Sequence, residues 1–253
     1  MAQRNTDKDW EILAQTEPYW SVLSSDEFRG QSLSTQGKTS FFLSGDEYIS
    51  NLFGFIRKYI RPDFRPQNSL DFGCGVGRLL LPIAQHSERA VGVDIAPEML
   101  RLCRQNAKEY GIENIELIQS DDTLSGVTDK FDFVNTYIVL QHIPPERGGQ
   151  IFRRLQESTK LGGIASLHVT YAKERRFFRH EEGAARYYRR EGSRIIDLIE
   201  SSDHRQTGSI TMYDYDLNLL MAYVSEHAGH PVVVLPTTHD GHLGAQFIYE
   251  RVR

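Results

Sequence analysis

The sequence is short of cysteine, of basic excess and of long apolar runs, and each lack excludes something. Two cysteines, Cys74 and Cys103, in 253 residues cannot build a disulfide framework, and their neighbours do not space them as metal ligands. No stretch approaches the roughly 20 apolar residues that a membrane span requires. The opening MAQRNTDKDW has no apolar segment of the kind a secretory signal carries. These absences lead us to expect a cytoplasmic protein with no membrane span and no metal. Lys and Arg number 29 against 34 Asp and Glu, a formal net charge of −5. That balance argues against a general nucleic-acid-binding surface, so nucleic acid is expected to be absent from the partners. No repeat or low-complexity tract interrupts the chain. What is present suffices for a core, because 40% of residues are hydrophobic and 11% aromatic. The length suits a single α/β domain with an elaboration.

Residues 1–62 read as an N-terminal helical cap rich in aromatics, among them Trp10, Trp20, Phe28, Phe41 and Phe42. Ser44 followed by Glu47 has the form of a capping box. Ile49, Leu52, Phe53, Ile56 and Ile60 then recur at helical spacing up to Arg61-Pro62. Over 69–171 strand and helix alternate. Strands are expected at 69–73, 90–95, 115–119, 131–137 and 164–171, with helices near 78–86, 97–110 and 145–161. Pro97 suits a first helical turn and Gly111 a stop. Such alternation predicts a parallel sheet covered on both faces. Residues 172–212 break the rhythm and read as a mostly helical, strongly charged lid insertion. A terminal segment, 213–253, supplies one more helix and two runs separated by THDGHLG, which read as an antiparallel hairpin.

The most informative segment is LDFGCGVGRLL, residues 70–80. A strand runs into Gly73, Gly75 and Gly77 and then into a helix. Glycines there allow positive φ and let a ligand approach the backbone, and the amides of a helix start attract negative charge. The next strand ends VGVD, placing Asp94 where a carboxylate can accept both hydroxyls of a ribose. A nucleoside ligand follows. The dinucleotide fingerprint is G-x-G-x-x-G/A, but here the spacing is G-x-G-x-G, with Arg78 at the sixth position. Acidic Asp71 stands two residues before the first glycine, where it would repel a pyrophosphate and attract an ammonium or sulfonium. S-adenosylmethionine carries both cations and no phosphate.

DFGCGVGR, VGVDIAPEML, the acidic IQSDD and FDFVNTYIVLQHIPPE, in that order, resemble the class I S-adenosylmethionine-dependent methyltransferases. The resemblance covers about 69–171 and the terminal hairpin. It implies a single methyltransferase domain with a Rossmann-like seven-stranded sheet, five parallel strands plus a C-terminal antiparallel hairpin, flanked by helices and closed by a helical lid. It also implies residue roles. Asp71 and the backbone of Gly73, Cys74, Gly75 and Gly77 would hold the methionine moiety. Asp94 would hold the ribose, with Ile95 and Met99 against the adenine. Asp121 or Asp122 would accept from the adenine amine, and Tyr137 would lie near the sulfonium. A nicotinamide dehydrogenase is the competing enzyme class.

Methyl transfer to a hydroxyl needs alignment, exclusion of water and a base. His142, after the fourth strand, and His239, beside Asp240 and His242 in the hairpin turn, are the candidate bases. His168, inside the fifth expected strand, faces either the crevice or a helix layer. Residues 173–194 contain eight Lys or Arg against four Glu, a local net charge of +4, interleaved with Phe177, Phe178, Tyr187 and Tyr188. Arg186, Arg189 and Arg190, with His242, are therefore the candidate acceptor contacts. We expect O-methylation of an anionic, sugar-containing small molecule or glycan. A neutral small-molecule acceptor and a silent S-adenosylmethionine-binding subunit are the alternatives. A weaker resemblance, carried by EPYWSVLSSDEFRG and KTSFFLSGDEY, is to bacterial methyltransferases associated with glycan assembly.

Overall fold

Apolar runs punctuated by glycine and proline set the strands. The computed structural model describes residues 6–121, 123–174, 185–191, 194–200, 210, 212–239 and 241–253. Five strands run parallel: β1 (Asn68–Phe72), β2 (Arg89–Asp94), β3 (Ile115–Gln119), β4 (Phe131–Thr136) and β5 (Thr159–Lys173). In β1 and β2 four consecutive residues are buried, as expected for strands covered on both faces. A separate two-stranded sheet joins β6 (Ala185–Glu191) to β7 (Arg194–Glu200). The terminal hairpin of β8 (Val233–His239) and β9 (His242–Glu250) adds antiparallel to β5. The seven-stranded order is β3-β2-β1-β4-β5-β9-β8, so the expected Rossmann-like sheet is the one observed.

Seven α-helices are described: α1 (Thr6–Thr16), α2 (Pro18–Val22), α3 (Thr35–Tyr59), α4 (Leu80–Gln85), α5 (Pro97–Glu109), α6 (Pro145–Ser158) and α7 (Leu217–His227). Ile49 and Phe53 of α3, Leu80 and Ile83 of α4, and Leu100 and Cys103 of α5 bury one sheet face with Phe133 and Ile164. Phe53 meets Phe64 and Phe133 edge-to-face at 5.2 and 5.0 Å, an arrangement that adds to area burial. Phe152 and Leu155 of α6 and Leu220 and Val224 of α7 cover the other face with Leu70, Val91 and Phe247. Among the described residues no helix is long and apolar enough to cross a membrane.

Two expectations are corrected. The helix expected to open at Ser44 starts at Thr35, where Ser34 caps it by accepting from the Gly37 N–H at 3.1 Å. Ser44 lies well inside, its hydroxyl donating to the Phe41 carbonyl at 2.6 Å. Phe41, Phe42 and Gly45 extend the buried stripe towards the N-terminus, and packing of that stripe decides where a helix persists. The second correction concerns the insertion at 172–212, expected to be a helical lid. Its described elements are the strands β6 and β7, with Glu191 opposite Arg194. RIIDLIE is rich in β-branched residues and ARYYRRE carries paired tyrosines, both of which favour strands.

The chain returns from the insertion through a tightly bonded segment. Lys173 Nζ and Asp214 Oδ1 lie 2.5 Å apart, both side chains fully buried. The Thr170 hydroxyl donates to the Tyr213 carbonyl, and the Tyr215 N–H to the Thr170 carbonyl, each at 2.8 Å. The Tyr215 hydroxyl stands 2.7 and 2.8 Å from the carbonyls of Leu140 and Ile143. It thereby pins the single 3₁₀ turn, Leu140–His142, that follows β4. Gly148 is required there, because a Cβ would sit 1.7 Å from that hydroxyl. Replacing Asp214 by Ala leaves the Lys173 ammonium buried without this carboxylate, and should cost about 3–5 kcal/mol in denaturant unfolding. Lys173→Met combined with Asp214→Leu should recover most of that loss. An equally unstable double variant would contradict this reading of the pair.

Candidate active site

The loop after β1 is fixed before any ligand arrives. Gly73, Gly75 and Gly77 have φ of +74°, +52° and +97°, conformations that side chains other than glycine disfavour. A Cβ on Gly73 would fall 2.3 Å from a Val139 methyl, and one on Gly75 2.8 Å from a Val22 methyl. The N–H groups of Gly73 and Cys74 both donate to the Val93 carbonyl, at 2.7 and 3.0 Å. Asp94, at the end of β2, accepts from the N–H of Gly75 at 2.9 Å and of Ala96 at 3.0 Å. The expected helix start at Arg78 is displaced to Leu80, so Arg78 belongs to the loop.

The loop, the strand ends, α1 and the 3₁₀ turn line an open cleft whose space, solvent at its mouth included, is about 980 Å³. Ten residues singled out in the sequence line it: Asp71, Gly73, Cys74, Gly75, Asp94, Ile95, Met99, Asp121, Tyr137 and His142. Gly77 lies beneath the loop, where a Cβ would come 3.0 Å from the Cys103 sulfur. Asp122 and Asp240 lie outside the described residues. Arg186, Arg189 and Arg190 lie on β6, and their side chains are likewise outside the description. His239, half-buried, and His242, buried, face each other in register at the tip of the terminal hairpin, outside the cleft lining.

Three carboxylates differ sharply in environment. Asp71 is 2% exposed, and burial pushes its carboxyl up to about 7. The Asn135 amide, donating at 2.8 Å, and the Arg78 charge oppose that rise. Burial likewise raises Asp94 to about 6, against the N–H groups of Ala96 and Gly75. Asp71 and Asp94 each gain from meeting a cation or further donors. Asp121 is held well below the usual range by the Ser125 and Thr123 donors. Its Oδ1 accepts from Thr123 N and Oγ1 at 2.9 Å and Ser125 N at 3.0 Å, and its Oδ2 from the Ser125 hydroxyl. That carboxylate is engaged by its own loop.

At the other end of the cleft Tyr137 is packed among rings: Tyr48 at 4.3 Å, His168 at 4.9 Å and His239 at 5.4 Å between centroids. The next residue, Ile138, has φ +60°, a rare state for a β-branched side chain. Its N–H donates to His168 Nδ1 at 3.3 Å, while His168 Nε2 lies 2.8 Å from the Thr237 hydroxyl. This network assigns the His168 proton to Nε2, and burial lowers His168 to about 3, so it is neutral. His168 thus faces inward between strands. Burial and then the Arg78 charge lower His239 as well. Its Nε2 is buried without a hydrogen-bond partner among the described residues. His142 stacks edge-on against Trp10 at 4.9 Å, with its Nε2 3.3 Å from the Gln141 amide nitrogen.

Several cleft residues escape sequence reasoning. Asp7 and Arg147 pair at 3.1 to 3.2 Å, joining α1 to α6 at the cleft wall, and Trp10 and Val22 line it nearby. They are single residues on helices or at their ends, with no motif around them. Asn135 had a signal: it is a buried polar residue of β4, directly beside Asp71 in register.

Comparison with known proteins supplies the context. Residues 70–163 match the family described as Methyltransferase domain. The 23S rRNA (uracil(1939)-C(5))-methyltransferase RlmD of Marinomonas sp. (strain MWYL1) is 28% identical over 143 residues, 54% of this chain and 30% of that protein. The 23S rRNA (uracil(747)-C(5))-methyltransferase RlmC of Vibrio vulnificus (strain CMCP6) is 26% identical over 183 residues, 72% of this chain and 46% of that protein. The chain thus spans less than half the length of these curated relatives. Magnesium protoporphyrin IX methyltransferase (ChlM) of Synechocystis PCC 6803, solved with S-adenosylmethionine, has a TM-score of 0.62 at 15% identity. The match covers 99% of each chain and is a likeness of fold. The expectation that nucleic acid is excluded as a partner is overturned, because the relatives sharing this domain are named as rRNA methyltransferases. Net charge sums over a whole chain and says nothing of a local acceptor site.

The residues present fit S-adenosylmethionine. Asp71 is a buried carboxylate with no ion pair among the described residues, suited to an ammonium or sulfonium. Asp94 and the tight glycine loop suit a ribose edge. A cation binds the ionised form of Asp71, so binding below about pH 7 must expel a proton. The affinity for S-adenosylhomocysteine, measured by calorimetry, should therefore fall as pH drops from 8 to 5.5. Methylthioadenosine, which lacks the amino-acid end, should respond only near pH 6, through Asp94. Asp94→Ala should weaken either ligand by more than about 1 kcal/mol. Identical pH profiles for the two ligands would contradict the role given to Asp71. Fold, loop and matched segment agree: residues 70–163 of this chain are a methyltransferase domain, and the crevice it forms suits S-adenosylmethionine.

Proposed function

We propose that the protein transfers a methyl group from S-adenosylmethionine to an oxygen of an anionic, sugar-containing small molecule or glycan. The carrying observation is a neutral imidazole, His239, whose unpartnered Nε2 lies in the ring cluster around Tyr137. When bound, S-adenosylmethionine supplies an electrophilic methyl on sulfur. Asp71 and Asp94 hold the donor end, and the closed loop excludes water there. Tyr137, wedged between Tyr48 and His168, is a rigid wall against which an acceptor aligns. His239, kept neutral, takes the hydroxyl proton, with His142 as the second candidate. The anionic character of the acceptor rests on the +4 tract at 173–194, with Arg186, Arg189, Arg190 and His242 as proposed contacts.

An RNA nucleotide is the second reading, favoured by the names of the curated relatives. Methylation at a ring carbon, as those names describe, generally calls for an enzyme nucleophile to raise the electron density of the ring. Cys74, the cleft cysteine, is held as a thiol: hydrogen bonding with Cys103 and then burial push it well up. An oxygen acceptor therefore fits this cleft better than a carbon, whichever molecule carries it.

Turnover is the test. Release of S-adenosylhomocysteine should be highest with anionic sugars in a panel that also holds neutral sugars, catechols and rRNA fragments. His239→Ala should lower kcat by about 10²–10⁴-fold with little change in cofactor affinity. Preference for rRNA would establish the second reading. Binding of cofactor with no turnover on any acceptor class would mark a silent binding subunit.

A further inference from the structure

Arg78 is the cleft residue that the function so far leaves unexplained. It is 6% exposed, yet it lines the cleft. Among the described residues its Nε has no hydrogen-bond partner, and its Nη1 meets only the Ser44 hydroxyl, at 3.4 Å. No carboxylate lies within 4.0 Å of it among the described residues. Its backbone, by contrast, is locked: the carbonyl lies where a Cβ on Gly45 would come within 2.0 Å. The site is therefore rigid at its base and unsatisfied at its head. A guanidinium buried without an anion is costly, and a planar fork of donors matches a carboxylate.

The surroundings are built to the same purpose. The Tyr48 hydroxyl accepts from the Gln246 amide at 2.7 Å, which leaves its own proton free to donate. Gln246 is held in turn, its amide nitrogen 2.8 Å from the Ser166 hydroxyl. Arg78 lines the same cleft as Asp71 and Tyr137, and its charge acts on both of them and on Tyr48 and His239. We propose that Arg78, with the Tyr48 hydroxyl, receives a carboxylate of a molecule bound in the cleft. The inference rests on the methyltransferase reading, which offers two carriers of that group: the acceptor and the amino-acid end of the cofactor. Proximity to His239 and Tyr137 favours the acceptor.

Two variants and three probes test it. Arg78→Met keeps the volume and removes an unpaired charge, so thermal stability should hold or rise. Ser44→Asp places a carboxylate beside Nη1, which should raise the melting temperature and block the site. Calorimetry of the wild type and both variants then uses S-adenosylhomocysteine, methylthioadenosine and D-glucuronate. If the acceptor supplies the carboxylate, both variants lose glucuronate binding about tenfold or more and bind the two nucleosides as before. If the cofactor supplies it, S-adenosylhomocysteine weakens about tenfold or more and methylthioadenosine does not. Unchanged binding of all three probes, or a lower melting temperature for both variants, would overturn the proposal. Failure of the wild type to bind either nucleoside would instead defeat the methyltransferase reading, and glucuronate would still report on Arg78.

Discussion

Two carboxylates at the carboxyl ends of adjacent strands, Asp71 buried and Asp94 half-buried, set the terms for the rest of this molecule. Asp71 and Asp94 pass into the crevice from β1 and β2, and burial disfavours the ionised form of each. The surrounding chain limits that cost without removing it. Asn135 donates to one, and the N–H groups of Gly75 and Ala96 donate to the other. The Gly75 N–H is presented by a loop that takes positive φ at three glycines, and the Ala96 N–H by the turn that leaves β2. The result is a pocket end tuned to hydrogen-bond donors and cations, and hostile to a pyrophosphate.

The other end of the cleft is assembled differently, from elements far apart in sequence. Tyr137 follows β4, Tyr48 comes from α3, His168 from β5 and His239 from the closing hairpin. The strained Ile138 backbone is held by the neutral His168 ring, so the wall between the two ends is fixed by packing. Tyr215, arriving from the far side of the insertion, clamps the turn that carries His142. The glycine-loop end is therefore local to two strands and a loop, whereas the ring cluster depends on the whole sheet being closed.

That difference explains what the sequence made legible. The β1 loop, Asp71 and Asp94 were readable because their chemistry is written in one contiguous motif and one strand end. The parallel strands were readable because burial on both faces leaves continuous apolar runs. The ring cluster was not, because its members share no spacing, and neither was Arg78, whose head meets no carboxylate within 4.0 Å among the described residues. The insertion misled because its charges suggested a solvated helix pair, while the β-branched RIIDLIE carried the stronger signal. The start of α3 misled because a capping-box pattern at Ser44 recurs inside a helix whose apolar stripe began earlier.

The central claim is that buried anions in this crevice select a cationic sulfur nucleoside over a dinucleotide. Competitive calorimetry at pH 8, with S-adenosylmethionine and NAD titrated separately into the wild-type protein, tests it most directly. The account predicts saturable binding of S-adenosylmethionine and no measurable binding of NAD. NAD binding as tight as or tighter than S-adenosylmethionine would contradict it.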